Sequence, residues 1–127
     1  MSSVRILGAL HIPPHPIKIP DLMAELIQHY QTSQANPVKK IAQFHLHFER
    51  IHPFIDGNGR AGRLIANLEL MKAGYPPIDI KFTDRAEYYD CFTSYEKTKQ
   101  TDQMEKMMGG YVLERIEDYL KIIKDVA

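Results

Sequence analysis

Apolar residues recur at helical spacing along most of the chain, with short polar or proline-rich segments between the repeats. The first repeat begins at Pro20 and Asp21, where Asp21 can cap a helix. Asn36 followed by Pro37 predicts the start of a second helix, because Asn favours the N-cap and Pro the first turn. Pro53 should end that helix, since a proline disfavours helical conformation in the residue before it. The apolar face of the first helix comprises Leu22, Met23, Leu26, Ile27 and Tyr30.

Two further helices are predicted in the middle of the chain. One starts within residues 57–59 and runs to Ala73, where Gly74 supplies the stop signal. The other covers residues 84–96, because Asp84 with Glu87 three residues later resembles a capping box. The apolar stripe predicted for the first of these two helices contains Leu64, Ile65, Leu68 and Met71.

The two ends of the chain differ in pattern. Asp102 and Glu105 repeat the capping pattern before a final helix that reaches the C-terminus, and the pair Gly109-Gly110 favours a kink within it. Its stripe of Val112, Ile116, Tyr119, Leu120 and Ile123 predicts core packing or a dimer face. At the other end, residues 4–10 are short and rich in β-branched residues, which predicts a strand or half of a hairpin.

Composition limits the partners and the compartment. The 127 residues are 44 % hydrophobic and 25 % charged, which is typical of one globular domain. Sixteen basic residues balance sixteen acidic ones, so no global field favours nucleic acid or an anionic membrane as a partner. The single cysteine and the lack of any long apolar run favour a soluble cytoplasmic protein.

The segment that joins the second and third helices carries the candidate chemistry; residues 52–63 read HPFIDGNGRAGR. The glycines on either side of Asn58 let the backbone turn tightly, and successive N–H groups at a helix start bind anions, above all phosphate. Arg60 and Arg63 are three residues apart and therefore share a helix face. Two guanidinium groups beside such a loop suit a di- or triphosphate.

Two other side chains of this segment predict catalysis. Asp56 would repel phosphate unless a cation lay between them, and Mg²⁺ binds carboxylates together with phosphate oxygens. His52 ends the preceding helix and is suited to accept a proton near neutral pH. A base, a metal ligand and an anion site together predict transfer of a phosphoryl or nucleotidyl group to a hydroxyl. A Walker loop is excluded, because no Gly-Lys-Ser or Gly-Lys-Thr follows the glycines.

Residues 52–63 resemble the signature of the Fic domain family, His-Pro-Phe-x-(Asp/Glu)-Gly-Asn-Gly-Arg-x-x-Arg, at every specified position. The similarity extends over roughly residues 4–95. It implies an all-α, Fic-like helical bundle with a short β-hairpin flap near the N-terminus. On this interpretation residues 1–127 are a single domain without the leading and inhibitory helices of longer relatives.

The resemblance further implies a protein adenylyltransferase that moves AMP from Mg-ATP to a Ser, Thr or Tyr hydroxyl of a target protein. In that role His52 is the general base, Asp56 holds Mg²⁺ and Phe54 faces the core to anchor the loop. The residues implied to bind the phosphates of ATP are Gly57, Asn58, Gly59, Arg60 and Arg63. Gly59 also favours nucleotide transfer, because the branch of the family that transfers phosphate has Lys there.

The resemblance assigns two more regions. Tyr88, Tyr89 and Glu96 correspond to the surroundings of the adenine, and adjacent helical residues diverge, so one of the two tyrosines is expected to face the base. The flap, which positions the target chain, corresponds to Ile6, Leu7 and Gly8. His45, on the second helix, is interpreted as a hydrogen-bonded core histidine and not as a metal ligand.

The inhibitory motif of the family, Ser/Thr-x-x-x-Glu-Gly/Asn, is not found, because Glu87 is followed by Tyr88 and Glu105 by Lys106. Either the inhibitory helix has been lost, or an inhibitory partner protein or helix acts in trans; a homodimer is a further hypothesis. Two alternatives to AMP transfer stay open. One is transfer of UMP, GMP, phosphocholine or phosphate on the same fold, and the other is a catalytically inert remnant that binds nucleotide.

Overall fold

The computed structural model describes residues 12–126 and places five α-helices, with no strand, in this range. The all-α prediction is confirmed there, whereas the predicted flap falls on residues 4–10 and lies outside the described residues. No helix between residues 12 and 126 combines the length and apolar character needed to cross a membrane. The helices are α1 (Ile19–Thr32), α2 (Pro37–Ile51), α3 (Asn58–Lys72), α4 (Arg85–Thr98) and α5 (Asp102–Val126).

The predicted start of α2 is confirmed, but two other predicted caps are wrong. Asn36 Oδ1 accepts a hydrogen bond from Lys39 N at 2.9 Å and so caps α2. Asp21 lies inside the first turn of α1, which has no side-chain cap. Asp84 precedes α4 without capping it, because its carboxylate accepts the hydroxyl proton of Tyr111 from α5 instead. A tertiary hydrogen bond has here replaced the local one that the sequence pattern predicted.

The last helix, α5, is the longest of the described helices. All of its buried residues lie in its first half, between Met104 and Val112. Residue Thr101 precedes it, and the Thr101 hydroxyl pairs with the Glu105 carboxylate. The helix continues without interruption through Gly109 and Gly110. Val112 is buried in the core, but the distal residues of the predicted stripe, Tyr119, Leu120 and Ile123, are exposed.

Helix α2 is the centre of the described bundle. It packs against α1, α3 and α5, while α4 lies against α5. Apolar burial on all these faces drives the arrangement, and most of the buried apolar side chains form one cluster. That cluster includes Ile41, Ala42, Leu46, Ala66, Leu70, Ile78, Tyr88, Cys91, Phe92, Met104, Met107, Met108, Tyr111 and Val112.

The apolar stripe predicted for α3 is on the wrong face. Leu64, Leu68 and Met71 are all about half exposed or more, whereas the buried row consists of Asn58, Gly62, Ala66 and Leu70. Three of these four side chains are small, so α3 can lie close against α2. At Gly62 a Cβ atom would lie only 3.1 Å from Glu49 Oε1 of α2. The buried face of α3 is therefore the one whose small side chains let α3 lie close to α2, and not the one with the larger apolar side chains.

The end of α3 and the segment after it are held by two sets of hydrogen bonds. Gly74 N bonds to Met71 O at 3.0 Å and Tyr75 N to Leu70 O at 2.9 Å, which confirms the predicted stop. The Asn67 side chain then binds both backbone groups of Ile78, at 2.8 and 2.9 Å. This fixed segment leads directly into α4, which brings Tyr88 and Tyr89 to the loop between α2 and α3.

The buried face of α3 predicts an asymmetric effect of truncation. Leu70→Ala should lower the free energy of unfolding by about 3 kcal/mol, because Leu70 is fully buried and its loss leaves a cavity. Leu64→Ala, on the same helix, should change it by less than about 0.5 kcal/mol, because Leu64 is 60 % exposed. Urea unfolding followed by circular dichroism measures both, and equal losses would contradict this assignment of faces.

Candidate active site

The loop between α2 and α3 starts at a strained residue. His52 is the C-cap of α2 and has left-handed backbone angles, φ 54° and ψ 61°. Of the described non-glycine residues only Lys99 shares a positive φ. Pro53 forbids continuation of the helix, and the His52 N–H still bonds to Phe48 O at 3.0 Å. A left-handed conformation costs a residue with a Cβ roughly 1–2 kcal/mol, and such strain concentrates at functional sites.

The loop is closed by the side chain of Asn58. Its Oδ1 accepts from Phe54 N at 2.9 Å and its Nδ2 donates to Phe54 O at 2.8 Å, and the residue is only 3 % exposed. The predicted burial of the Phe54 ring is only partial: the residue is 53 % exposed, and its ring lies against the buried Phe48 ring with centroids 6.5 Å apart. Asn58 binds the backbone of Phe54 and so supplies the hydrogen bonds that anchor the loop.

The start of α3 leaves several donors available in the same place. Gly57 is the N-cap, with φ 79°, a conformation that other residues adopt only under strain. The first intrahelical bond runs from Ala61 N to Gly57 O at 2.9 Å, so the N–H groups of residues 58–60 have no acceptor within the helix. Together with the helix dipole they form an anion site. Asp56 Oδ1 accepts from Gly57 N at 2.7 Å, which fixes the carboxylate beside these donors.

A cleft of about 480 Å³ opens over this helix start. The structure brings together in its wall nearly all of the site residues predicted from the sequence. Two residues that the sequence analysis did not select, Glu49 and Ile55, line it as well. The predicted residues in the wall are His52, Asp56, Gly57, Asn58, Gly59, Arg60, Arg63, Tyr88 and Tyr89.

The two arginines lie over the loop. A Cβ atom on Gly59 would lie 3.1 Å from Arg63 Nη1, and one on Gly57 would lie 3.5 Å from Arg60 Nη2. Both side chains therefore fold back towards the start of α3, on the side where the free N–H groups collect. Two guanidinium groups and two carboxylates, those of Glu49 and Asp56, thus line the same cleft.

The two adjacent tyrosines have different environments, as their positions on α4 require. Tyr88 is buried and packs on Phe92, with ring centroids 5.1 Å apart. Tyr89 is more exposed and also lines a second groove of about 410 Å³ beside the cleft. In that groove the Arg85 guanidinium lies 5.7 Å from the Tyr89 ring centroid. Tyr89 is thus the tyrosine whose ring a ligand can reach.

One predicted residue, Glu96, is not part of the cleft wall that the described residues form. Glu96 is absent from its lining; the carboxylate pairs with Arg50 at 3.0 Å and with Lys99 at 3.2 Å, and these bonds orient it on the surface of α4. The cleft therefore gives no support to an adenine contact by Glu96. Ile6, Leu7 and Gly8, predicted as the target-positioning flap, lie outside the described residues.

Sequence reasoning missed a buried polar group beneath the cleft. Glu49 of α2 is 5 % exposed and His45, one turn earlier, is fully buried. His45 Nε2 lies 2.6 Å from the Tyr88 hydroxyl, which confirms the hydrogen-bonded core histidine. Burial, with a smaller contribution from the nearby Arg63 charge, lowers the pKa of His45 to about 4. The four-residue spacing of His45 and Glu49 on one face of α2 was the available signal.

Burial also shifts the pKa values of Glu49 and Tyr88, the two groups that lie beside His45. It raises the pKa of the Glu49 carboxyl, and the positive charge of Arg63 partly opposes that shift. It raises the pKa of the Tyr88 hydroxyl as well, against a hydrogen bond and charge from Arg63. Arg63 thus acts on all three buried groups from the cleft side.

Strain at His52 predicts a difference between two substitutions that both remove the imidazole. His52→Gly should be more stable than His52→Ala by about 1 kcal/mol, because only glycine adopts the left-handed backbone without cost. Thermal and urea unfolding of the two variants measure this difference. A more stable alanine variant would show that the loop does not hold residue 52 in this conformation.

Comparison with known proteins places this site in a family. The model of the Fic/DOC family matches residues 3–70, which include the whole loop. A protein adenylyltransferase Fic from Aedes aegypti is 45 % identical over 83 residues, 63 % of this chain and 17 % of that protein. A protein adenylyltransferase Fic from Drosophila mojavensis is 44 % identical over 82 residues, which are 62 % of this chain and 16 % of that protein. The chain therefore spans about a sixth of the length of the curated relatives it matches.

Solved structures share the fold. Fic-1 from C. elegans superposes with a TM-score of 0.81 over 91 % of this chain and 36 % of that one, at 24 % identity. A Fic family protein from Desulfovibrio desulfuricans G20 superposes with a TM-score of 0.74 over 88 % of this chain and 36 % of that one, at 28 % identity. The family match covers more than half of the chain, and the fold and the loop agree with it: the chain belongs to the Fic/DOC family.

Proposed function

We propose that this chain is a nucleotidyltransferase that moves AMP from Mg-ATP to a Ser, Thr or Tyr hydroxyl of a target protein. One observation carries the proposal. A histidine, a carboxylate, the open start of a helix and two arginines line a single cleft of about 480 Å³. The relatives named as protein adenylyltransferases support the same activity.

The start of α3 is the proposed binding site for the phosphates. The N–H groups of residues 58–60 point from the helix start, and Arg60 and Arg63 lie over the same turn. Backbone donors and guanidinium groups together bind the non-bridging oxygens of a polyphosphate, and they stabilise the charge that develops on transfer. Asn58 contributes its N–H to this site, whereas its side chain holds the loop.

Asp56 is the residue proposed to hold Mg²⁺. Its carboxylate is exposed to the cleft and is oriented through Oδ1 by the Gly57 N–H. Mg²⁺ takes one or two carboxylates together with phosphate oxygens, so a single protein carboxylate next to a phosphate site fits this ion. Within residues 12–126 no group of three or more His, Cys, Asp or Glu side chains is placed to hold a metal. When bound, the ion would neutralise charge on the phosphates.

His52 is the proposed general base. Its ring accepts the proton of the target hydroxyl while the oxygen forms a bond to the α-phosphorus of ATP. The bond between the α-phosphorus and the bridging oxygen breaks, and pyrophosphate leaves with that electron pair. The strained backbone of residue 52 directs the ring towards the cleft, where the anion site of α3 holds the phosphates.

The nucleoside and the target are proposed to occupy the outer parts of the site. Tyr89 is the proposed stacking surface for adenine, next to the buried Tyr88. The segment containing Ile6, Leu7 and Gly8 is the proposed flap that aligns the target chain by strand addition. An inhibitory partner, a homodimer and a cytoplasmic location are further hypotheses from the sequence.

Labelled ATP tests the reaction. Incubation with ATP labelled at the α-phosphate should label the chain or a protein of a cell lysate, and γ-labelled ATP should not. His52→Ala should lower labelling at least about 100-fold, in the range expected for loss of a general base. His29→Ala is the matched control, because His29 is exposed on α1 and does not line the cleft.

Four results would contradict the proposal. Labelling that survives His52→Ala would exclude the proposed base. Transfer of the γ-label would indicate phosphate transfer, and stabilisation of the chain by UTP but not ATP in a thermal-shift panel would exclude adenine. Binding of Mg-ATP without transfer to any candidate target would favour the inert remnant.

Removal of the metal tests Asp56. Isothermal titration should show that EDTA weakens ATP binding to the unsubstituted chain at least about tenfold. For Asp56→Asn, EDTA should make little further difference, because the protein ligand is already lost. Asp21→Asn is the control, since Asp21 is an exposed carboxylate of α1 that lines neither the cleft nor the groove beside it. An equal effect of EDTA on Asp56→Asn and on the unsubstituted chain would exclude Asp56 as the ligand.

A further inference from the structure

The proposed mechanism leaves three buried polar side chains beneath the cleft without a role. Glu49, His45 and Tyr88 are each more than nine-tenths buried, and each is influenced by Arg63. Buried polar groups are normally hydrogen-bonded, because an unpaired one costs free energy. Their arrangement in this family member therefore calls for a functional explanation.

These groups are arranged as a chain. His45 Nε2 lies 2.6 Å from the Tyr88 hydroxyl. On the other side of the ring, His45 Nδ1 and Glu49 Oε1 lie 3.2 and 3.1 Å from the position that a Cβ on residue 62 would occupy. Both atoms are buried and have no hydrogen-bond partner among the described residues. They therefore face the same small space, which exists because residue 62 is glycine.

We infer that Glu49, His45 and Tyr88 form a hydrogen-bonded relay that positions Arg63 for the terminal phosphates of the donor. This inference rests on the proposed function, since it takes phosphate as the ligand of Arg63. Contact between Glu49 and His45 is direct or passes through one water molecule, for which the space over Gly62 offers two polar partners.

Proton positions give the relay a direction. His45 is neutral at neutral pH, so one ring nitrogen donates and the other accepts. If Nδ1 donates towards the Glu49 carboxylate, Nε2 accepts the Tyr88 hydroxyl proton. The lone pairs of the Tyr88 oxygen then accept from Arg63, which lines the same cleft. Burial raises the pKa of that hydroxyl, and the hydrogen bond and charge of Arg63 partly oppose the rise. Every donor in the series points towards Glu49.

The relay determines where the guanidinium lies. Arg63 is largely exposed, and a long exposed side chain loses rotamer freedom when it binds a ligand. An acceptor oxygen that is polarised by a buried carboxylate holds the guanidinium in the cleft before the phosphate arrives. The opposite tautomer of His45 would donate to the Tyr88 oxygen and turn the hydroxyl proton outwards, towards Arg63.

Binding measurements with a double-mutant cycle test the inference. Tyr88→Phe keeps the ring on Phe92 and removes only the hydroxyl, and should weaken Mg-ATP binding about five- to tenfold with little change for AMP. In the Arg63→Ala background the same substitution should cause no further loss. Glu49→Leu should act like Tyr88→Phe, and Glu49→Gln should restore part of the affinity, because its amide oxygen can still accept from His45.

Tyr95→Phe is the matched control, because Tyr95 is a partly buried tyrosine of the same helix whose ring packs edge-to-face against His47 outside the cleft. Isothermal titration measures all variants. Equal losses for ATP and AMP, or a loss by Tyr88→Phe that persists without Arg63, would overturn the inference and show that the triad is only structural.

The tautomer of His45 provides a test that needs no nucleotide. In the ligand-free chain, ¹⁵N NMR of the imidazole should show a protonated Nδ1 and an accepting Nε2. A protonated Nε2 would overturn the relay. If the unsubstituted chain bound no Mg-ATP, the proposed function would be excluded, whereas the tautomer would still decide whether the relay exists.

Discussion

The close approach of α2 and α3 at Gly62 is the constraint on which the site depends. A Cβ atom there would lie 3.1 Å from Glu49 Oε1 and 3.2 Å from the His45 ring, so these side chains of α2 would have to shift by a few tenths of an ångström. The row that contains Gly62 continues through Ala66 and Leu70, so the two helices meet along small residues and then along a filled core. Because α2 ends and α3 begins at the same loop, this contact places the strained C-terminal end of α2 beside the open N-terminal start of α3.

The loop between α2 and α3 is held in one shape by this packing. Asn58 belongs to α3 but binds the backbone of Phe54, so the turn cannot change shape without disturbing the helix. His52 is held in a left-handed conformation at the end of α2, and Gly57 in another at the start of α3. Strain of this kind persists only where the surrounding structure over-determines it, and here the buried Asn58 and the two helix ends do so.

Much of this arrangement was predictable from the sequence, and the parts that were not share a physical cause. Local signals sufficed for the order of the helices, for the cap at Asn36 and for the residues of the loop. They failed where a distant partner competes: Asp84 bonds to Tyr111 of another helix, and the stripe of Leu64 and Leu68 is exposed because close packing favours the small face. Residue type and spacing do not encode such contacts.

The same limit applied to the buried polar groups. His45 was interpreted as a core histidine, but nothing in the pattern of apolar residues linked it to Glu49 or to Tyr88, which is 43 positions away. The tertiary fold brings the three together under Arg63.

Burying Glu49 opposes stability, since desolvation disfavours the ionised carboxyl and raises its pKa. An apolar residue of similar volume would pack there without that cost, and replacing buried charges in this way is often neutral or stabilising. A carboxylate in this place therefore has no evident benefit to folding, while it does act on the arginine at the edge of the cleft. The positive charge of Arg63 only partly opposes the rise in the pKa of Glu49 that burial causes. The stability of the bundle and the position of the arginine that we propose binds phosphate are thus set by different demands on the same face of α2.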